Sequence, residues 1–163
     1  MNKLLLPVVL MLLAGCNYEV PLSQTASAPA NPALAGTWTG QSADGKHVSM
    51  EIKISGTDYT ATYTSTYTEG SDALTFKGFE ITASGRNLIQ LELQNADKDF
   101  QNNRYLFVKY ELTPDGLSVY LLNTEVVSAK CQTTEELLKD IDVHRQNPLL
   151  FTEPLKFTKS AQK

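Results

Sequence analysis

Apolar and polar residues alternate along most of this chain from residue 48 onward, with the period of two that marks half-buried β-strands. Val48, Met50, Ile52 and Ile54 interleave with Ser49, Glu51 and Lys53, and Tyr59, Ala61 and Tyr63 interleave with Thr60, Thr62 and Thr64. The same reading predicts strands over 74–81, 88–93, 105–112 and 117–122, a first strand opening at Gly36 and a last one over 155–158. The links are short and marked by glycine: Asp44-Gly45, Ser55-Gly56-Thr57-Asp58, Ser84-Gly85-Arg86-Asn87 and Pro114-Asp115-Gly116. Such turns join sequence neighbours as antiparallel hairpins. Around Gly78 the apolar phase slips, with Leu74 and Phe76 at even positions and Phe79 and Ile81 at odd ones, which predicts a β-bulge there. One helix is expected. Thr133 with Glu136 fits a capping box, Leu137, Leu138 and Ile141 form an apolar stripe, and Pro148 stops any continuation. Seven strands, one short helix and a closing strand predict a mainly β domain, an antiparallel up-and-down meander closing into a barrel of about eight strands.

The head of the chain follows another pattern. Lys3 precedes an apolar run from Leu4 to Leu13, then come Ala14, Gly15 and Cys16. The run is about ten residues, half of the roughly 20 that a spanning helix needs, so it reads as a secretory leader over 1–15. Leu13-Ala14-Gly15-Cys16 resembles the lipobox of bacterial lipoproteins. That resemblance implies cleavage between Gly15 and Cys16, a diacylglycerol on the Cys16 thiol and a third acyl chain on its amine, including palmitate. Three chains make attachment effectively permanent. Asn17, rather than aspartate, implies sorting to the outer membrane, facing the periplasm. Residues 16–35 are rich in Asn, Ser, Thr, Ala and Pro and show no periodic apolar face, so they are expected to form a flexible tether. A coil of that length spans roughly 20–25 Å, and a polyproline II segment up to about 55 Å. The folded domain is expected over 36–163.

Composition narrows the partners. Removing the leader takes Lys3 from the 14 basic residues and none of the 18 acidic ones, moving the formal charge from −4 to −5. A mildly acidic chain with no basic run carries no electrostatic footprint for nucleic acid, and no patch for lipid headgroups. Membrane attachment then rests on Cys16 alone. With Cys16 acylated, Cys131 is the remaining one of two cysteines, so no internal disulfide can form. Cys131 is expected to be a small buried hydrophobe, with intermolecular pairing or a redox role left open.

The meander opening with Gly36-Thr37-Trp38 and closing with a helix and a strand resembles the lipocalin (calycin) superfamily over 34–160. The resemblance implies a lipocalin-like barrel in which Trp38, the single tryptophan, plugs one end. Thr57-Asp58-Tyr59 lies in a different loop from the similar family motif, and the family's late arginine on its tryptophan has no clear counterpart, since Lys156 and Lys159 occupy the final strand. The stretches 105–112, 121–123 and 153–157 also resemble uncharacterised bacterial envelope lipoproteins.

Candidate chemistry is sparse. His47 and His144 lie apart, without the three or four ligands zinc takes. Asp97-Lys98-Asp99 with Asn102 and Asn103 offers oxygen ligands. An EF-hand count from Asp97 puts Asn102 where glycine is needed and Val108 where glutamate is needed. Glu135-Glu136 is helix-start chemistry. Neither a Gly-x-Ser-x-Gly elbow nor a phosphate-cradling glycine loop occurs. No cofactor and no catalytic set are expected. The most ligand-like feature is a stripe of Tyr59, Tyr63 and Tyr67, which with Phe76 and Tyr110 would line a mostly apolar pocket. These readings lead to a non-enzymatic envelope lipoprotein that binds a small apolar or amphipathic ligand. The alternative is an interaction module docking on another envelope protein, or inhibiting an external enzyme, through an exposed Phe107 or Tyr120.

Overall fold

A computed structural model describes residues 17–42, 45–65, 73–95, 104–114 and 116–161. Eight strands appear among them: β1 (Gly36–Gln41), β2 (His47–Ser55), β3 (Asp58–Ser65), β4 (Leu74–Ala83), β5 (Arg86–Leu93), β6 (Tyr105–Thr113), β7 (Gly116–Leu121) and β8 (Leu155–Lys159). The helix α1 (Thr134–Val143) lies between β7 and β8. Each strand pairs antiparallel with its sequence neighbour, and β8 returns to pair with β1, closing an up-and-down barrel. The β2–β3, β4–β5 and β6–β7 turns share one end of the barrel, called here the hairpin end. The longer connections β3–β4, β5–β6 and β7–β8 share the other, the loop end.

Local chemistry explains the boundaries. Ser84 (φ 50°) and Gly85 (φ 72°) both take the left-handed conformation that a two-residue turn between right-twisted strands requires. Thr133 caps α1 by accepting from the Glu136 amide at 3.1 Å, and the Glu136 carboxylate accepts from the Gln132 amide at 2.8 Å.

The expected bulge at Gly78 is absent. Register runs unbroken through this residue on both sides, Tyr59↔Gly78 toward β3 and Gly78↔Leu91 toward β5. Phe76 faces the barrel interior, while Ile81 and Ala83 face outward into a second apolar cluster. The phase slip therefore records a change in which face is buried. Glycine is needed for a different reason: a Cβ there would stand 2.0 Å from the Gln90 carbonyl oxygen.

That second cluster corrects the expectation of a tether. Residues 17–34 run along the outside of the barrel as a strap. Tyr18 is 1% exposed; it exchanges backbone hydrogen bonds with Tyr105 (2.8 and 3.1 Å) and packs its ring against Phe107 in a tilted pair, centroids 5.2 Å apart. The Gln90 side chain, buried on the outer face of β5, accepts from the Leu22 and Ser23 amides at 2.7 and 3.0 Å and donates to the Ser23 carbonyl at 2.9 Å. The Ser27 amide then donates to the Glu80 carbonyl, on the part of β4 that extends past the end of β3. Tyr18 and Leu22 thus join Ile81, Leu88, Phe107, Leu137 and Ile141 in one apolar layer over β4–β6. Fully burying one such aliphatic side chain contributes about 1.5–3 kcal/mol, which explains why a segment of tether-like composition is held.

Candidate functional site

Alternation carries Tyr59 and Tyr63 of β3, Phe76 of β4 and Tyr110 of β6 to the inside of the barrel. Together with Leu34, Met50, Ala61, Leu106, Val119, Leu155 and other aliphatic side chains, they surround a cavity of about 90 Å³ whose wall is apolar. Four of the five residues nominated from sequence thus meet there. The fifth, Tyr67, lies outside the described residues, as do Gly15, Cys16 and the Asp97–Asn103 loop.

The Tyr59 and Tyr110 hydroxyls join a polar cluster at the hairpin end. Glu80, 7% exposed, accepts at Oε1 from Tyr59 Oη (2.7 Å) and from Tyr110 Oη (3.1 Å). The Asn31 amide donates to Tyr59 Oη at 2.5 Å, and Asn31 Nδ2 donates to Tyr110 Oη at 3.1 Å. Asn31 also caps the short 3₁₀ turn Pro32–Leu34, whose Leu34 enters the interior core. Burial pushes the Tyr59 hydroxyl well above the ordinary tyrosine range; the Asn31 amide opposes this, and the neighbouring Glu80 carboxylate adds to it. Tyr110 is shifted upward as well, first by burial and then by Glu80, against the opposing bond from Asn31. Both phenols are therefore held neutral, as the donors a buried carboxylate needs. Chemically the cluster is a clasp: it fastens the strap to β3, β4 and β6 and keeps polar atoms out of the cavity wall.

Sequence reasoning missed Glu80, Asn31 and Gln90. The signal for Glu80 was available. An unbroken β4 with Phe76 inward places residue 80 inward too, and only the bulge assumption hid it.

Trp38 is buried in the interior core, and its Nε1 donates to the Leu34 carbonyl at 2.8 Å. Lys159 Nζ stands 5.1 Å from the centroid of its ring and donates to the Ala33 carbonyl at 3.1 Å, so a cation from β8 lies over the tryptophan. His47 is exposed at the start of β2, and His144 pairs with Asp140 at the end of α1. Among the described residues no three His, Cys, Asp or Glu side chains converge as a metal site would require. Cys131 is half-buried beside the outer cluster, and burial raises its thiol. Phe107, nominated for an exposed docking face, is 1% exposed beneath Tyr18. Tyr120 donates to Glu111 at 3.0 Å with Lys109 over its ring. The closed eight-stranded antiparallel barrel is consistent with a lipocalin-like fold. No family model, no curated protein and no solved structure matches this chain.

Proposed function

We propose that this chain is a bacterial envelope lipoprotein, cleaved between Gly15 and Cys16 and anchored by acyl chains on Cys16. In this reading its barrel binds a small apolar ligand without catalysing a reaction. The observation that carries the binding role is the apolar cavity of about 90 Å³ ringed by Tyr59, Tyr63, Phe76 and Tyr110. Drug-sized ligands occupy pockets of roughly 300–1,000 Å³, and a dry apolar cavity of about 150 Å³ admits benzene, so what enters here has less bulk than a benzene ring. The end of a single alkyl chain fits that volume, and the flexible Met50 side chain is able to yield to admit more of it. Glu80 and its two tyrosines are engaged with one another, which favours binding over chemistry. Among the described residues no helix is long and apolar enough to cross a membrane, and the proposed attachment is the acylated Cys16. Asn17 favours the outer membrane.

The docking alternative is weakened by Phe107, which the strap covers. Native mass spectrometry of residues 17–163, followed by titration with a saturated fatty acid, tests the ligand. One equivalent of saturable binding is expected, and its absence overturns the ligand role. Ala61 lines the cavity, so Ala61→Leu fills it from within. This variant should lose binding with its melting temperature unchanged or raised, because a void is filled rather than a close-packed site crowded.

A further inference from the structure

Resting on the proposed acylation of Cys16, we infer that the strap fixes the barrel's orientation on the bilayer, with the loop end against the lipid surface and the hairpin end away from it. The argument is one of chain length and placement. Tyr18 is 1% exposed and paired with Tyr105, the first residue of β6, and Asn17 is 7% exposed. Tyr105 stands opposite Glu92, one residue before the end of β5, so this contact is at the loop end. Two residues of chain reach about 7 Å at most, so acyl chains on Cys16 leave the protein within that distance of the Tyr18 backbone. The slack that a free tether of 16–35 would have given is used up in crossing the outside of the barrel. From Tyr18 the strap passes Gln90 and Glu80 to reach Asn31 and the clasp at the hairpin end.

A lipid surface is the occupant this placement specifies, and the acyl chains supply the attraction. The mature chain has a formal charge of −5 once Lys3 is removed from the −4 total, which gives no attraction to anionic headgroups. Strands of this length, rising about 3.3 Å per residue and tilted as barrel strands are, separate the two ends by roughly 20 Å. A ligand entering at the loop end would come straight from the bilayer, whereas one entering at the hairpin end would have to pass the clasp.

The test uses full-length acylated protein in phosphatidylethanolamine–phosphatidylglycerol vesicles that carry an energy-transfer acceptor lipid. With Cys131→Ser removing the native thiol, a donor dye goes on Gln94→Cys at the loop end or on Thr57→Cys at the hairpin end, both exposed positions. Transfer is expected to be stronger from position 94 than from 57. The difference should vanish when a twenty-residue Gly-Ser linker is inserted between Asn17 and Tyr18. Equal or reversed transfer in the acylated protein overturns the orientation, and so does a difference that survives the linker. Mass spectrometry of the same sample separates the two claims: an unacylated Cys16 overturns the lipoprotein reading itself, whereas an acylated protein with no preferred end overturns only the orientation.

Discussion

At Glu80 two phenol hydroxyls converge on one carboxylate oxygen inside an otherwise apolar barrel, and each phenol is tied in turn to Asn31. Tyr59→Phe removes the donor to Glu80 and the acceptor for the Asn31 amide together, and should cost about 1–3 kcal/mol at neutral pH. The pH dependence has a definite sign. The folded state holds Tyr59 protonated above its unfolded value, near 10, so its contribution is whole below that pH and is lost as pH rises beyond it. Urea unfolding between pH 8 and pH 11.5 should show the native protein losing stability above pH 10 more steeply than Tyr59→Phe. Gly78→Ala presses a Cβ onto the Gln90 carbonyl, 2.0 Å away, and should cost about 1–3 kcal/mol by the same measurement. At this scale the sequence was half legible. The aromatic stripe was visible because alternation is visible. Glu80 was not, because a slip of apolar phase in one strand has two physical causes, an inserted residue or an exchange of buried faces, and the letters alone do not separate them.

The strap is the element that composition concealed. Its backbone is held largely by partners far along the chain: Gln90 reaches Leu22 and Ser23, Glu80 reaches Ser27, and Tyr105 reaches Tyr18. Its own residues carry little periodic signal, and Tyr18, Leu22 and Leu34 are too widely spaced to mark a face. By contrast α1 was legible from its cap and stripe, and the structure places it over Thr134–Val143 with Leu137 and Ile141 buried and Leu138 half-buried. Gln90→Met keeps the side chain's bulk but leaves the Leu22 and Ser23 amides without their acceptor. It should destabilise the domain by about 2–3 kcal/mol in denaturant titration, since each buried unsatisfied donor costs roughly 1–3 kcal/mol. Shortening the chain to 31–163 should uncover Phe107 and Leu88, so that it binds an apolar dye and self-associates more than residues 17–163 do.

For the whole molecule, the strand order follows from hairpin chemistry read in sequence, and the closed barrel of eight strands is what the meander predicted. What pattern could not supply is how the barrel is finished: an inner core around a narrow apolar cavity, and an outer core in which strap and helix share one layer. The strap belongs to both the clasp and the outer core, so it joins the polar cluster at the hairpin end to the proposed anchor. That the N-terminal segment is a built part of the domain is the claim on which the clasp, the apolar cavity wall and the fixed orientation all depend. Hydrogen–deuterium exchange on residues 17–163 tests it most directly. The amides of Tyr18, Leu22 and Ser27 should exchange as slowly as those of the β4–β5 ladder, because each donates to a described acceptor at 2.7–2.8 Å. Exchange at the rate of an unstructured peptide at these three amides would show a tether after all, and would contradict the account.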